Sequence, residues 1–510
     1  MFVLEFAISI IVECILVLKT LYYFQINSYG FPKSLKYKNH YSKLVDLSVV
    51  SMLINAFLCI MNKNMGLRYY SHISFVIHII VVVICLLEKE DNRQKLKFTK
   101  RLLRIYFVVI CEIIVSTFSL IIIGIFIKDL LFFIPLIFIF YPILILMAII
   151  LLTPLEKAIN FIYLSKSKST LKKKNIRVIG ITGSFGKTST KEFLKEILSK
   201  KYKVYATPKN FNTLTGVSKS IMQIKDEEIF ICEMGARHKK DIKKICNLVK
   251  PDIGIITGIN GQHLETFKSI ENIYNTKKEL SDNVNGPVFF SSENEGSLKM
   301  FQEREGEKYL DISFAKFSEY STSYLGSQFK VTYNDKNYIF STKLIGKASY
   351  YDLKLAISVA LYLGLSIVDI QKAVQDLCQP KCRMEITLLN NSIYLIDDSY
   401  NSNFDGVKNA LEVLSSYPNR KIILTQGIVE CGQIDQKEKN FEIGKLIAAT
   451  CDVAIVTGVN SEYIIRGINS LESNINIIYK KSFLEAKKEI EKVIKKGDCL
   501  LIQNDLTDNY

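Results

Sequence analysis

The chain is expected to be an α/β protein preceded by a polytopic α-helical membrane region. Three observations predict this. Long apolar runs are confined to residues 1–153. A strand, a glycine-rich turn and a helical pattern follow at residues 176–198. Short buried strands bounded by turn residues recur through the last 130 residues. At 510 residues the chain is long enough for about three domains. The expected boundaries are 1–160 for the membrane region, 161–175 for a basic linker, 176–382 for a central α/β domain and 383–510 for a Rossmann-like C-terminal α/β domain.

The apolar runs cover residues 4–24, 45–61, 73–87, 105–127 and 130–152. Each approaches the ~20 residues that a helix needs to cross a bilayer. No small-residue cleavage site follows the first run, which argues against a removed signal peptide. Charge orients the spans. The connection before the second run carries Lys33, Lys36, Lys38 and Lys43, and the one before the fourth carries Lys89, Arg93, Lys95, Lys97, Lys100, Arg101 and Arg104. The two alternate loops hold only Lys63, Arg68 and Lys128. Five spans with this bias place the N-terminus outside and everything after Pro154 in the cytosol.

The formal net charge is +16, but residues 1–177 hold 22 Lys and Arg against 9 Asp and Glu. That segment accounts for +13, which leaves +3 for the other 333 residues. The basic excess thus belongs to the membrane region, and its run at 166–174 suits anionic lipid head groups. No nucleic-acid partner is required, because no basic stretch interleaved with aromatic residues appears. Glu5, Glu13 and Glu112 lie within apolar runs, and for Glu5 and Glu13 pairing or proximity to water is a better explanation than transport. The eleven cysteines show no CxxC and no zinc spacing, so reduced structural thiols are expected.

The chemistry begins after the linker. The buried run 176–181 leads into Thr182-Gly183-Ser184-Phe185-Gly186-Lys187-Thr188-Ser189 and then a helical pattern through Leu198. In that context backbone N–H groups and a helix N-terminus cradle phosphates. Lys187 would neutralise the β- and γ-phosphates, and the Thr188 hydroxyl would bind Mg²⁺. The spacing is shorter than GxxxxGK, since Ile181 stands where the first glycine is usual.

This shortened loop resembles that of the Mur ligase family, which joins a carboxylate to an amine at the cost of ATP. Other segments are similar at matching distances. Residues 207–216, with Asn210 and Asn212, resemble the family's asparagine-rich element, although Thr213 and Ser218 depart from it. Glu233-Met234-Gly235-Ala236 looks like the metal-binding glutamate motif at the end of a strand, where ligands collect in open α/β sheets. Gly261-Gln262-His263-Leu264-Glu265-Thr266-Phe267 is followed by Lys277. By resemblance, His263 binds a second Mg²⁺ and Lys277 is carbamylated to help hold the metals. Arg383-Met384-Glu385 and Asp397-Asp398-Ser399-Tyr400-Asn401 resemble the D-alanyl-D-alanine-adding branch most closely. There the resemblance assigns Arg383 to the ATP phosphates and Asp398 to the ribose. The similarity covers about residues 176–510.

The resemblance therefore implies ATP and two Mg²⁺ ions. The nucleotide set is Thr182, Gly183, Ser184, Gly186, Lys187, Thr188, Ser189, Asn212, Arg383, Asp398, Tyr400 and Asn401. The catalytic set is Lys187, His263, Lys277 and Arg383, and the metal set is Thr188, Glu233, His263 and carbamylated Lys277. Activating a carboxylate as an acyl phosphate needs positioning and charge neutralisation rather than a protein nucleophile, and these residue types suit that task.

The chain also departs from the family. Ala348, Ser349 and Asp352 replace an HNxxN pattern, so adenine contacts are lost or remade by Tyr350 and Tyr351. Gln503-Asn504-Asp505-Leu506 stands where KGSR is usual, which leaves the incoming amine open. Apolar spans stand where the family's UDP-binding domain is expected.

The leading expectation is thus a ligase of the bacterial cytoplasmic membrane, with its ligase domains in the cytosol. It would add an amino acid or peptide amine to a carboxylate-bearing envelope precursor or polymer, beside membrane lipid and membrane-associated biosynthetic partners. Two alternatives remain: addition of D-Ala-D-Ala to the UDP-linked peptidoglycan precursor, and nucleotide sensing by a degenerate ligase domain.

Overall fold

The computed structural model describes residues 96–126, 136–208, 211–261, 264–389, 392–400, 403–429 and 433–503, together with scattered positions between Cys14 and Tyr29. The apolar runs at 45–61 and 73–87, and most of 4–24, lie outside the described residues. The chain divides into two compact units, with the boundary in the sequence between Phe161 and Ile162.

Residues 105–126 of the fourth apolar run lie in a helix, Lys100–Phe126, and residues 136–152 of the fifth lie in a longer one, Leu136–Lys174. Leu102, Ile105, Val109 and Ile113 share a buried cluster with Ile145, Ala148 and Leu152. Arg104 Nε and Nη2 both donate to Glu156 Oε1, at 2.8 and 2.5 Å. Phe107, Phe118, Ile150 and Leu151 remain exposed, so this pair turns apolar side chains outward as well as inward. Among the described residues, one helical stretch, Ile143–Lys174, is long and apolar enough to cross a membrane.

The segment anticipated as a linker is helical through Lys174. The cause is visible in its spacing. Leu164 and Leu171 pack on the core of the second unit, and Ser167 between them donates to Ser218 O at 2.8 Å. Residues spaced three and four apart share a helix face, so this docking requires helix and not coil.

The second unit opens with a six-stranded parallel sheet, order β2-β3-β1-β4-β5-β6. Its strands are β1 Arg177–Thr182, β2 Val204–Ala206, β3 Ile229–Glu233, β4 Ile253–Ile256, β5 Val288–Phe290 and β6 Lys308–Leu310. Continuous apolar runs such as 229–232 suit strands covered on both faces. One face buries Ile179, Ile231 and Ile255 against the helices Lys187–Leu198 and Lys347–Tyr362, and the other buries Val178, Phe230 and Ile256. An antiparallel sheet of β7 Lys316–Ser323, β8 Gly326–Tyr333 and β9 Lys336–Thr342 completes this domain.

A second six-stranded sheet, order β10-β11-β15-β12-β13-β14, forms the C-terminal domain. It comprises β10 Glu385–Leu389, β11 Ile393–Asp398, β12 Lys421–Thr425, β13 Val453–Thr457, β14 Asn476–Lys480 and β15 Cys499–Gln503. All pairs are parallel except β10 with β11. The two domains meet at the β7–β8 turn. Tyr324 stands edge-on to Tyr394 and Tyr417, with ring centroids 5.3 and 4.9 Å away, and its N–H donates to Ser416 Oγ at 3.0 Å.

Between β1 and the helix Lys187–Leu198 the backbone turns through Gly186 at φ 77°. A side chain there would be strained, and its Cβ would lie 2.2 Å from Asp352 Oδ1. Gly186→Ala is expected to cost about 1–3 kcal/mol of stability. Urea unfolding of the purified chain checks this, and an unchanged midpoint would show that the turn tolerates a β-carbon.

Candidate active site

The register of the central sheet gathers the predicted residues. Ile181 of β1 pairs with Glu233 of β3, and Thr182 pairs with Ile256 of β4, so these strands deliver their carboxyl ends side by side. This is where an open parallel sheet forms its ligand crevice. Ser184 N donates to Gly258 O at 2.7 Å, and Thr182 Oγ1 donates to Met234 O at 2.9 Å. The turn is thereby fastened to the ends of β4 and β3, and its backbone shape is set in advance.

Lys187 begins the following helix, and its ammonium donates to Gly183 O at 2.8 Å and Ser184 O at 3.0 Å. Burial pushes its pKa down to about 8, with the charge of Arg383 adding to that and those of Glu233 and Asp352 opposing it. Thr188 Oγ1 lies 3.3 and 3.2 Å from the two carboxylate oxygens of Glu233. Glu233 is only 2% exposed, and Asn212 Nδ2 donates to its Oε1 at 3.2 Å. Carboxylate, hydroxyl and amide oxygens are hard donors of the kind Mg²⁺ prefers. The donor set therefore fits a divalent cation. Ser189, directly after Thr188, is buried in the same helix.

Lys277 lies on the helix Ile270–Asp282 and is buried. Its pKa falls to about 7, chiefly through burial and then through repulsion from Lys187. His263 and Asn401 lie outside the described residues.

The C-terminal domain contributes from across the inter-domain junction. Arg383 sits between Cys382 at φ 57° and Met384 at φ 56°, two left-handed residues that fix its direction. Its Nη2 donates to Thr188 Oγ1 at 3.5 Å, and its guanidinium lies 4.7 Å from the ring centroid of Tyr400. Asp398 ends β11, and its pKa is raised to about 7 by burial, with Arg383 opposing the shift. Lys187, Thr188, Glu233 and Arg383 thus form one cluster at the edge of both domains.

Two buried charged side chains are not marked by any motif in the sequence. Lys191 is fully buried, with its ammonium 3.1 Å from Glu233 Oε2. Its place one helical turn after Lys187, in line with Leu194 and Leu198, was the available signal. Asp352 is buried against the phosphate loop, and burial raises its pKa to about 8. Tyr350, one of the two aromatic candidates for the base, stacks on Tyr320 at 4.2 Å and packs on Phe329, half-buried against the core. Cys382, Glu385 and Asp397 also lie close together, with potential ligand atoms within 4.8 Å of one another. Glu385 already accepts from Cys382 N–H and Asp397 from Ser399 N–H, as parts of the inter-domain turn.

Comparison with known proteins agrees with this geometry. Residues 181–360 match the Mur ligase middle domain, and residues 382–503 match the Mur ligase, glutamate ligase domain. The UDP-N-acetylmuramoyl-tripeptide–D-alanyl-D-alanine ligase of Borreliella burgdorferi is 30% identical over 298 residues, covering 56% of this chain and 63% of that protein. The ligase of the same name from Bacillus subtilis is 26% identical over 351 residues, covering 66% and 75%. A third, from Buchnera aphidicola, is spanned over 58% of its length. The chain thus spans less than two thirds of the Borreliella and Buchnera proteins. In structure, MurF from Acinetobacter baumannii superposes with a TM-score of 0.61 at 20% identity, over 68% of this chain and 77% of that one. MurF from Thermotoga maritima in complex with ADP gives 0.58 at 23% identity, over 68% and 80%. At these identities the likeness speaks for the fold. Residues 181–503 of this chain carry the middle and C-terminal domains of the Mur ligase family.

Proposed function

We propose that the protein is a membrane-anchored, ATP-dependent acid–amine ligase that extends a carboxylate-bearing cell-envelope precursor by an amino acid or peptide. The observation that carries this reading is the cluster of Lys187, Thr188, Glu233 and Arg383, in which two cations, a hydroxyl and a carboxylate converge at the end of a phosphate loop. A carboxylate is a poor electrophile. In the reaction proposed, its oxygen bonds to the γ-phosphorus of ATP while the bond from that phosphorus to the β–γ bridging oxygen breaks, releasing ADP. The amine then attacks the acyl phosphate carbon, phosphate leaves, and the amide forms with loss of a proton.

Such a transfer depends on positioning and charge neutralisation. Lys187 and the loop amides hold the β- and γ-phosphates, and Arg383 faces the transferred group from the C-terminal domain. Mg²⁺ would be held by Thr188 and Glu233, with His263 and carbamylated Lys277 as further ligands, and would screen phosphate charge. Carbamylation requires an unprotonated amine, and the depressed pKa of Lys277 supplies one near neutral pH.

Membrane anchorage is supported by the five apolar runs, the apolar helical stretch Ile143–Lys174 and the exposed apolar residues of both long helices. The cytoplasmic face is the reading that the Lys and Arg bias of the loops favours. The names of the relatives make UDP-linked muramoyl tripeptide and D-Ala-D-Ala the first substrate pair to try. A lipid-linked acceptor is the second, because an anchor would hold the site at the inner leaflet.

Phosphate release from ATP by detergent-solubilised protein, offered each acceptor with amino acids or D-Ala-D-Ala, tests the reading. Turnover with a carboxylate acceptor is expected, and Lys187→Ala should remove it. Tight ATP binding without turnover on any acceptor would favour nucleotide sensing instead. With ¹³C-bicarbonate, a carbamate carbon resonance should appear, grow from about pH 6 to about pH 8 as Lys277 loses its proton, and vanish in Lys277→Ala. No such resonance would remove Lys277 from the metal set. Above about pH 8, ionised Asp352 and neutral Lys187 should both weaken nucleotide binding. Asp352→Asn removes the first contribution, so its nucleotide Kd should rise less steeply with pH, and an unchanged profile would show that Asp352 does not titrate there.

A further inference from the structure

Lys191 is a charged side chain with no exposure at all, one turn deeper in the helix than Lys187. Its Nζ lies 2.8 Å from Thr207 O, 3.1 Å from Glu233 Oε2 and 3.3 Å from Glu192 Oε1. Thr207 also accepts, through its Oγ1, from Glu233 N at 3.1 Å. The ammonium thus ties together the phosphate-loop helix, the start of the asparagine segment and the end of β3. Burying an ion in this way is costly unless its partners are fixed. The two oxygens of Glu233 are then inequivalent. Oε2 faces the fully buried ammonium at 3.1 Å and Oε1 accepts from the neutral Asn212 Nδ2 at 3.2 Å, while Thr188 Oγ1 lies beside both, at 3.2 and 3.3 Å.

We propose that Lys191 is a positioning residue for divalent-cation binding: it clamps Glu233 through Oε2 so that the carboxylate presents Oε1, beside Thr188, to the metal. The inference rests on the reading of Glu233 as a metal ligand. Two effects of opposite sign operate on removing Lys191. Loss of a nearby positive charge tightens cation binding, whereas loss of carboxylate orientation weakens it. Groups that orient a ligand typically change metal affinity by about 10–100-fold. The clamp therefore predicts weakening, and pure charge repulsion predicts the reverse.

The test is titration of the full-length, detergent-solubilised chain with Mn²⁺ alone, read by electron paramagnetic resonance, with metal-free thermal unfolding recorded on each variant. Lys191→Met and Lys191→Gln are expected to raise the Mn²⁺ Kd about tenfold, and Lys191→Arg, which keeps a buried cationic donor, is expected to restore most of the affinity. Either neutral variant suffices if only one folds. An affinity equal to or tighter than wild type in a folded neutral variant overturns the proposal. Glu233→Gln separates the two levels of the argument. If Glu233→Gln binds Mn²⁺ as wild type does, the metal-ligand reading itself fails. If Glu233→Gln loses the metal and the Lys191 variants do not, only the clamp fails.

Discussion

The centre of this molecule answers to one requirement, that the buried carboxylate of Glu233 be given polar and charged partners. An isolated buried carboxylate is heavily disfavoured, so it must be surrounded by donors or cations. Here the helix after the phosphate loop supplies Thr188 and Lys191, and the asparagine segment supplies Asn212. That demand fixes how β1, β3 and the helix Lys187–Leu198 sit together. The side chains that neutralise the acid are also those that shape the phosphate site.

A second electrostatic problem is solved beside the first. Lys187 and Lys277 repel one another in a poorly hydrated space, and each is less basic than usual. Asp352, also withheld from water, is less acidic than usual. The site therefore holds several groups whose charge is easily changed near neutral pH. Functional centres concentrate such groups because their tasks need pKa values matched to the working pH.

Much of this was legible in the chain. Strand, glycine turn and helix at 176–198, the glutamate at the end of β3 and the strands near 393, 421, 453 and 499 all follow from local pattern. The structure adds β14 and the short edge strand β10, whose residues 387–389 are exposed and lack alternation. The helical character of 161–174 was hidden because its Ser and Lys content reads as linker, while Leu164, Ser167 and Leu171 face a partner only in the folded state. Lys191 and Asp352 were hidden for a related reason. A charged residue in sequence is presumed solvated, and only tertiary packing shows that these two are not. Tyr350 shows the complement: an aromatic residue near a nucleotide motif suggests stacking on a base, and the ring already stacks on Tyr320.

The edge-on packing of Tyr324 against the paired rings of Tyr394 and Tyr417 bears on modularity. A hairpin tip of the middle domain contributes to the orientation of the C-terminal domain, beside the covalent connection at 377–384 and the contacts of Ala348 with Asn409 and Lys347 with Glu412. A C-terminal domain lacking these two rings would leave Tyr324 without its partners at the junction. Exchanging the last domain of this chain thus also calls for refitting the β7–β8 turn, although some 60 residues separate the two segments.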